Sequence, residues 1–482
     1  MKKISMILGF VLVIALIVAG TVMADLPGGG WWSGEQIQNV GTSTATIQIT
    51  AYSGGATYSG DSRTLDPGAS TTYLPDDFSG MPDGFQGAAV VSSDQPIKAI
   101  VNVTNRQVGS YGISGGLAAA QYQGIDGSQT ATTLSFPLVK NNYYGKTTTF
   151  YIQNAGSSTA NITASYKVAA GDFNKTYTIE PNEMVVVNPA DAGVPEGTDS
   201  LGALTVTSDQ PIAGVVLEHP ASGSPAKMLQ ATRGFTPADY DTKIYAPIVK
   251  RGFYGRHTGI QVQNVETATN VDVYVTYYGV TGCSGEYHNS YSNLAPGASY
   301  TFFDDPNLPE GCLASAIITA TGNIAGVVNE TFYPSVPAGQ EQAQTTYSCI
   351  PAKSATTKVA VPLYKNKFGN KTTGLQVQNV GNAVATVTLQ FSLGPYGGTP
   401  TVYTLSNVTI DPGAAKTFLL LDDPSYDVGG TWDTRPPAGV YGSVTITADQ
   451  PIVAIANESV YPFDGSVLVQ DKNNYEGFNL SP

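Results

Sequence analysis

Apolar and polar residues alternate along most of this chain with a period of two. In the run TATIQITAY, Ala45, Ile47, Ile49 and Ala51 fall on one side and Thr46, Gln48, Thr50 and Tyr52 on the other. ATVTLQF repeats the pattern, with Val387, Leu389 and Phe391 on the apolar side. A period of two with one polar side predicts antiparallel strands that keep one face wet. Turn chemistry separates the runs. Asn39-Val40-Gly41 and Asn379-Val380-Gly381 place a side chain able to form an Asx-turn two residues before a permissive glycine. Asp66-Pro67-Gly68 and Asp411-Pro412-Gly413 set up the next reversal. Asp94, Asp209 and Asp449 then open a turn whose proline, two residues on, leads into a last apolar strand. Helical periodicity is almost absent, and about seven short strands between such turns predict a two-sheet sandwich.

The pattern is written four times. The Gln-Asn pair of GEQIQNV, TFYIQNA, GIQVQNV and GLQVQNV ends at Asn39, Asn154, Asn264 and Asn379, in steps of 115, 110 and 115 residues. LDPGAS, IEPNEM, LAPGAS and IDPGAA keep the same beat, as do SDQPIKAIVN, SDQPIAGVVL, TGNIAGVVNE and ADQPIVAIAN. Three markers in one order predict four copies of one module. Their boundaries are 25–130, 131–240, 241–355 and 356–482, with turn-rich junctions open to proteolysis if the modules are autonomous.

This order of N-x-G turn, alternating strand, L-x-P-G turn and final strand opening on S-D-Q-P resembles the immunoglobulin-like, CARDB-like repeats of bacterial exported and cell-surface proteins. The resemblance implies an all-β chain of four tandem immunoglobulin-like antiparallel β-sandwich modules after a signal peptide. It also implies a stalk, spacer or adhesive role. Its motifs are turn chemistry, so they bear on fold more than on function. The second copy departs from it with Pro181-Asn182-Glu183, and the third lacks Asp-Gln-Pro.

Residues 1–24 read as a signal peptide: Lys2 and Lys3, an apolar run, then Val22 and Ala24 as small residues at a cleavage position. An uncleaved anchor is the other reading, because the apolar stretch is nearly long enough to span a bilayer. Cleavage after Ala24 would give a secreted or surface-held protein with no membrane insertion. The net charge of −14 becomes −16 without Lys2 and Lys3, which disfavours nucleic acid and anionic lipid.

Candidate chemistry is sparse. His219, His257 and His288 lie at unrelated positions without metal-ligand spacing, and no nucleophile motif or phosphate loop appears. The chain is therefore read as non-catalytic. Cys283 and Cys312, 29 residues apart in the third module, form the favoured disulfide in an exported chain; Cys312 with Cys349, or three free thiols, are the alternatives. The acid pairs Asp76-Asp77, Asp304-Asp305 and Asp422-Asp423 offer hard oxygen ligands for Ca2+, against a plain solvated loop. Trp31, Trp32, Trp432 and the tyrosine pairs 143–144 and 277–278 could stack on sugars or simply cover half-buried sheet.

Two further expectations concern the module ends. Lys140, Lys250 and Lys365 sit on first strands, and Asn329-Glu330 and Asn457-Glu458 on last strands, an arrangement some surface domains use for Lys–Asn amide cross-links. After residue 24, module one lacks the apolar opening strand of its siblings (FPLVK, APIVK, VPLYK), which invites self-association through that module. The tail at 465–478 is one candidate donor, although it equally aligns with segments that close earlier modules. Cell-envelope glycans or other surface proteins are the expected partners. The leading function is a structural or adhesive protein of the cell surface: a stalk, surface-layer or filament component. A carbohydrate-binding accessory protein of the envelope is the alternative.

Overall fold

The computed structural model describes residues 26–116, 118–222, 228–336, 344–463 and 472–480, together with the backbone of 13–18. Strands make up 62% of the chain and no α-helix occurs among the described residues, as the period of two requires. The sheets are antiparallel throughout.

One pairing scheme recurs, and the second repeat shows it clearly. The strand Gly202–Pro220 runs through both layers. Its first half pairs with Ala131–Val139 and Ala160–Val168, and its second half with Lys146–Asn154 and Gln230–Arg233. Met184–Val187 closes the far side of Lys146–Asn154. Phe136, Phe150, Ile152, Ile162, Leu204 and Val206 fill the space between the layers. Cys312–Phe332 and Val440–Val460 are the corresponding long strands of repeats three and four. In repeat one the long strand is split into Gln86–Ser93 and Ile97–Thr104.

The three sequence markers prove to be one joint. Each marker asparagine is fully buried, and its amide donates to two carbonyls: Asn39 to Ser43 and Leu65, Asn154 to Ser158 and Ile179, Asn264 to Thr269 and Leu294, Asn379 to Ala383 and Ile410, all at 2.8 to 2.9 Å. Its Oδ1 accepts the N–H two residues on, closing the predicted Asx-turn. The turn around Pro-Gly docks on this joint, with Gly68, Gly297 and Gly413 donating to the asparagine carbonyls. Those glycines have φ between 73° and 80°. In repeat two Asn182 takes the position at φ 64°, the left-handed region that asparagine tolerates best among side-chain-bearing residues. Asp94, Asp209 and Asp449 accept the N–H at the head of the third strand; repeat three replaces that bond with Thr321 Oγ1 accepting from Asp272 N.

The repeats do not lie as beads on a string. The closing strands Ala119–Gln123, Gln230–Arg233, Thr345–Ser348 and Lys472–Glu476 touch in cyclic order, the fourth returning to the first. Apolar cores run across the junctions: Val215, Leu217 and Ala231 join the core of repeat one, Ile100 joins that of repeat four, and Val453 and Ile455 join that of repeat three. The same polar contact recurs at two junctions, Ser315 Oγ donating to Gly413 O and Ser443 Oγ to Gly68 O, each at 2.8 Å. A contact from repeat four to repeat one that copies the one from three to four means the ring closes.

The first-strand place is filled by Ala131–Val139, Asp241–Arg251 and Thr356–Asn366 in repeats two to four. In repeat one it is filled by Val13–Val18, from inside the segment read as a signal peptide. The expected cleavage position lies outside the described residues. The tail closes repeat four, with Lys472–Glu476 on Val440–Val460 and Phe478–Asn479 on Thr356–Asn366. The rest of the donor segment, 465–471, lies outside the described residues.

Candidate functional site

The long strand brings a glutamate to the open end of three sandwiches, and each is met by the lysine of the first strand. Lys140 Nζ lies 2.8 Å from Glu218, Lys250 2.6 Å from Glu330, and Lys365 2.6 Å from Glu458. A second cation from the hairpin follows each, Lys146 at 3.9 Å, Arg256 at 3.0 Å and Lys371 at 3.4 Å. Lys472 of repeat four adds a third to Glu330 at 2.6 Å, across a junction. Burial opposes ionisation of these glutamates, but the cations prevail: Glu218 and Glu330 are held below the usual carboxylate range, and Glu458 is pulled down to about 2. The lysines expected to face asparagine thus meet the adjacent glutamate. Asn329 turns to the neighbouring repeat and donates to Glu218 Oε2 at 2.8 Å.

At the ring centre, Gln123, Arg233, Ser348 and Glu476 occupy matching register positions, opposite Ile100, Val215, Val327 and Ile455. Gln123 Nε2 donates to Glu476 O at 2.8 Å, and the Ser348 N–H donates to the Glu476 carboxylate. Arg233 forks onto Asp239 at 2.7 and 2.8 Å. These groups, with Lys98 and Cys349, line a cavity of about 120 Å³. Burial pushes up both the Glu476 carboxyl and the Cys349 thiol. Apart from Cys349, weighed only as a disulfide partner, none of these residues stands out in the sequence, because each repeat spends a different side chain on its central position.

The hairpins between first and second strands end in aromatic tips. Tyr143 packs edge-on against Tyr144 and Phe253 against Tyr254, with ring centroids 4.8 and 4.6 Å apart. Tyr144 is 78% exposed and Tyr254 85%, on backbones at φ 48° and 52°. Most other aromatics singled out in the sequence are engaged. Trp31 is fully buried, Trp32 bonds Arg106 O, Tyr277 bonds Asp305, and Trp432 leans on Phe391.

The acid pairs sit in three separate repeats, and internal partners meet them. Asp77 pairs with Arg63 at 2.6 Å and Asp422 with Lys367 at 2.7 Å. Asp305 accepts from Tyr277 and Asn289, and Asp423 caps the turn at Ser425. The Asp76 N–H donates to Tyr111 Oη. Asp304 joins His257 at 2.8 Å, with Glu310 close by. This trio could present three ligand atoms to a metal, but Arg251 lies 3.2 Å from Asp304 and 3.7 Å from Glu310. Cys283 and Cys312 form the favoured disulfide, with Cα atoms 5.2 Å apart, and Cys349 is buried and free. No helix among the described residues is long and apolar enough to cross a membrane.

Comparison with family models and with characterised sequences finds no match. Among solved structures, the crystal structure of Thermotoga maritima 1070 is similar at 18% identity, covering 22% of this chain and 93% of that one, with a TM-score of 0.19.

Proposed function

We propose that this is an exported, non-catalytic structural protein of the cell surface. On this reading four copies of one immunoglobulin-like sandwich are closed into a ring that serves as a rigid building block or adhesive head. The observation that carries the reading is the closure itself. Shared cores, the bonds from Lys472 to Glu330 and from Asn329 to Glu218, and the repeated serine contacts at the junctions hold the four repeats together. Closure favours a surface-layer unit or a head over an extended stalk, because repeat one packs against repeat four. The disulfide in repeat three accords with an oxidising compartment. Antibody labelling of intact cells tests the reading: surface signal is expected, and a protein found only in the cytoplasm would overturn it.

A carbohydrate-binding role is the second reading, favoured by one feature. Tyr144 and Tyr254 are held open on matching hairpin tips, as flat apolar platforms for sugar rings. A glycan array with the wild type and a Y144A/Y254A double variant tests it, and binding unchanged in the variant would reject these tips.

A further inference from the structure

In repeats two to four the lysine ending the first strand is fixed twice. Its backbone N–H donates to a threonine hydroxyl on the second strand: Lys140 to Thr148 at 3.0 Å, Lys250 to Thr258 at 3.1 Å and Lys365 to Thr373 at 3.0 Å. Its ammonium meets the buried glutamate opposite that threonine.

Repeat one lays out the same seat with other residues. Ser33 faces Val103 just as Thr148 faces Glu218, Thr258 faces Glu330 and Thr373 faces Glu458. A hydroxyl is thus kept where the lysine N–H docks, while valine replaces the glutamate. The carboxylate comes instead from Glu35, two residues along the strand on the same side, where the other repeats carry Phe150, Ile260 and Leu375. Ser33 Oγ donates to Glu35 Oε1 at 3.0 Å, and Glu35 Oε2, fully buried, has no hydrogen-bond partner among the described residues. Burial pushes this carboxyl up to about 8. An acid in a sandwich core is costly unless something answers it.

The strand that would carry the answering lysine is the one repeat one lacks after residue 24. Its place against Gln86–Ser93 is real: Val13–Val18 lies there, with Val13 opposite Val91 and Ala15 opposite Ala89, as Leu134 lies opposite Val206 and Phe136 opposite Leu204. Removal of residues 1–24 leaves that edge unpaired above an apolar layer. The chain cannot refill it with a lysine-ended strand of its own, because all three are committed within their repeats.

We propose that repeat one of the exported chain is a strand-acceptor site, completed by an extended apolar segment of a partner polypeptide that ends in a lysine, whose ammonium pairs with Glu35. Main-chain bonds to Gln86–Ser93 would supply affinity, and the lysine would select the partner and its register. The inference rests on export with leader removal as set out above.

The processed protein, recovered after export, is first sequenced from its N-terminus. A chain that still begins before Val13 fills the slot itself and overturns the proposal, while leaving surface location intact. The processed protein is then titrated with a fluorescent peptide, TTLSFPLVKN, copied from 132–141. Saturable binding is expected, weakened roughly tenfold or more when norleucine replaces the lysine. In E35L the preference should vanish or invert, and E35Q, nearly isosteric, guards against a folding defect. Absence of binding, or equal binding of both peptides to the wild type, would refute the site.

Discussion

Replacing Glu458 by glutamine tests whether the buried ion pairs hold the sandwiches together. The wild-type carboxylate lies 2.6 Å from Lys365 and 3.4 Å from Lys371 and titrates near 2, against an ordinary 4.5. Its folded-state value is depressed, so the stabilisation is complete above the unfolded value and fades as pH falls from 4.5 towards 2. A gap of 2.5 units is about 3 kcal/mol at pH 7, of which about 1 kcal/mol remains at pH 3. The glutamine variant lacks this contribution at every pH and also strands the buried Lys371 ammonium and the half-buried Lys365 ammonium, a cost of several kcal/mol for a broken buried pair. Denaturant unfolding of both proteins at pH 7 and pH 3 should therefore show a large deficit at neutral pH that shrinks by about 2 kcal/mol in acid. Other carboxylates titrate in both proteins and cancel in the difference. A deficit equal at the two pH values, or none at pH 7, would refute the assignment of this pair as the source of stability.

Asn379→Ala removes two donors and one acceptor from a fully buried joint and should cost about 3 kcal/mol or more, read as a lower denaturation midpoint with unchanged m-value. Limited proteolysis at the repeat junctions should give nicked chains whose fragments elute together at the intact size, because the cores cross the junctions; fragments that separate without denaturant would argue against the ring. Cys349 should resist thiol reagents until the protein unfolds, since burial raises its thiol and shields it, and rapid labelling of the native protein would contradict that placement. Chelation should leave melting unchanged if Arg63, Arg251 and Lys367 are the working partners of the acid pairs, whereas a fall in melting temperature would return those pairs to Ca2+.

What could be read in the sequence was local and repeated. The asparagine of QNV, the Pro-Gly turn and the aspartate of SDQP act within about seventy residues of one another on backbone groups, and backbone groups are the same in every repeat. Four copies of one backbone problem therefore select four copies of one side chain, and the disulfide likewise joins positions in a single repeat. Lysine, asparagine and glutamate at the sandwich ends are visible too, but the sequence reading faces the lysine with the asparagine and leaves the glutamate as a nearby carboxylate. The alternation of a strand decides between them: neighbours on Val440–Val460 point to opposite faces, so Glu458 enters the sandwich while Asn457 faces the other way.

The ring left almost no repeated mark, for the opposite reason. A contact between two copies of one surface needs only that the two sides match, and each junction can meet that condition with its own residues. Val215 and Leu217 do so with apolar bulk, Asn329 and Glu218 with a charge-assisted bond, Lys472 and Glu330 with an ion pair. Ser315 and Ser443 betray the symmetry only once their acceptors, Gly413 and Gly68, are known to lie on the following repeat. The same freedom explains repeat one. Its glutamate moved from the long strand to position 35, its hairpin cation became Trp31, and its first strand lies within residues 1–24. A repeat that had merely decayed would have lost the carboxylate along with the lysine. Keeping both a hydroxyl and a buried acid at the seat, at the expense of stability, is what a site that waits for its lysine requires.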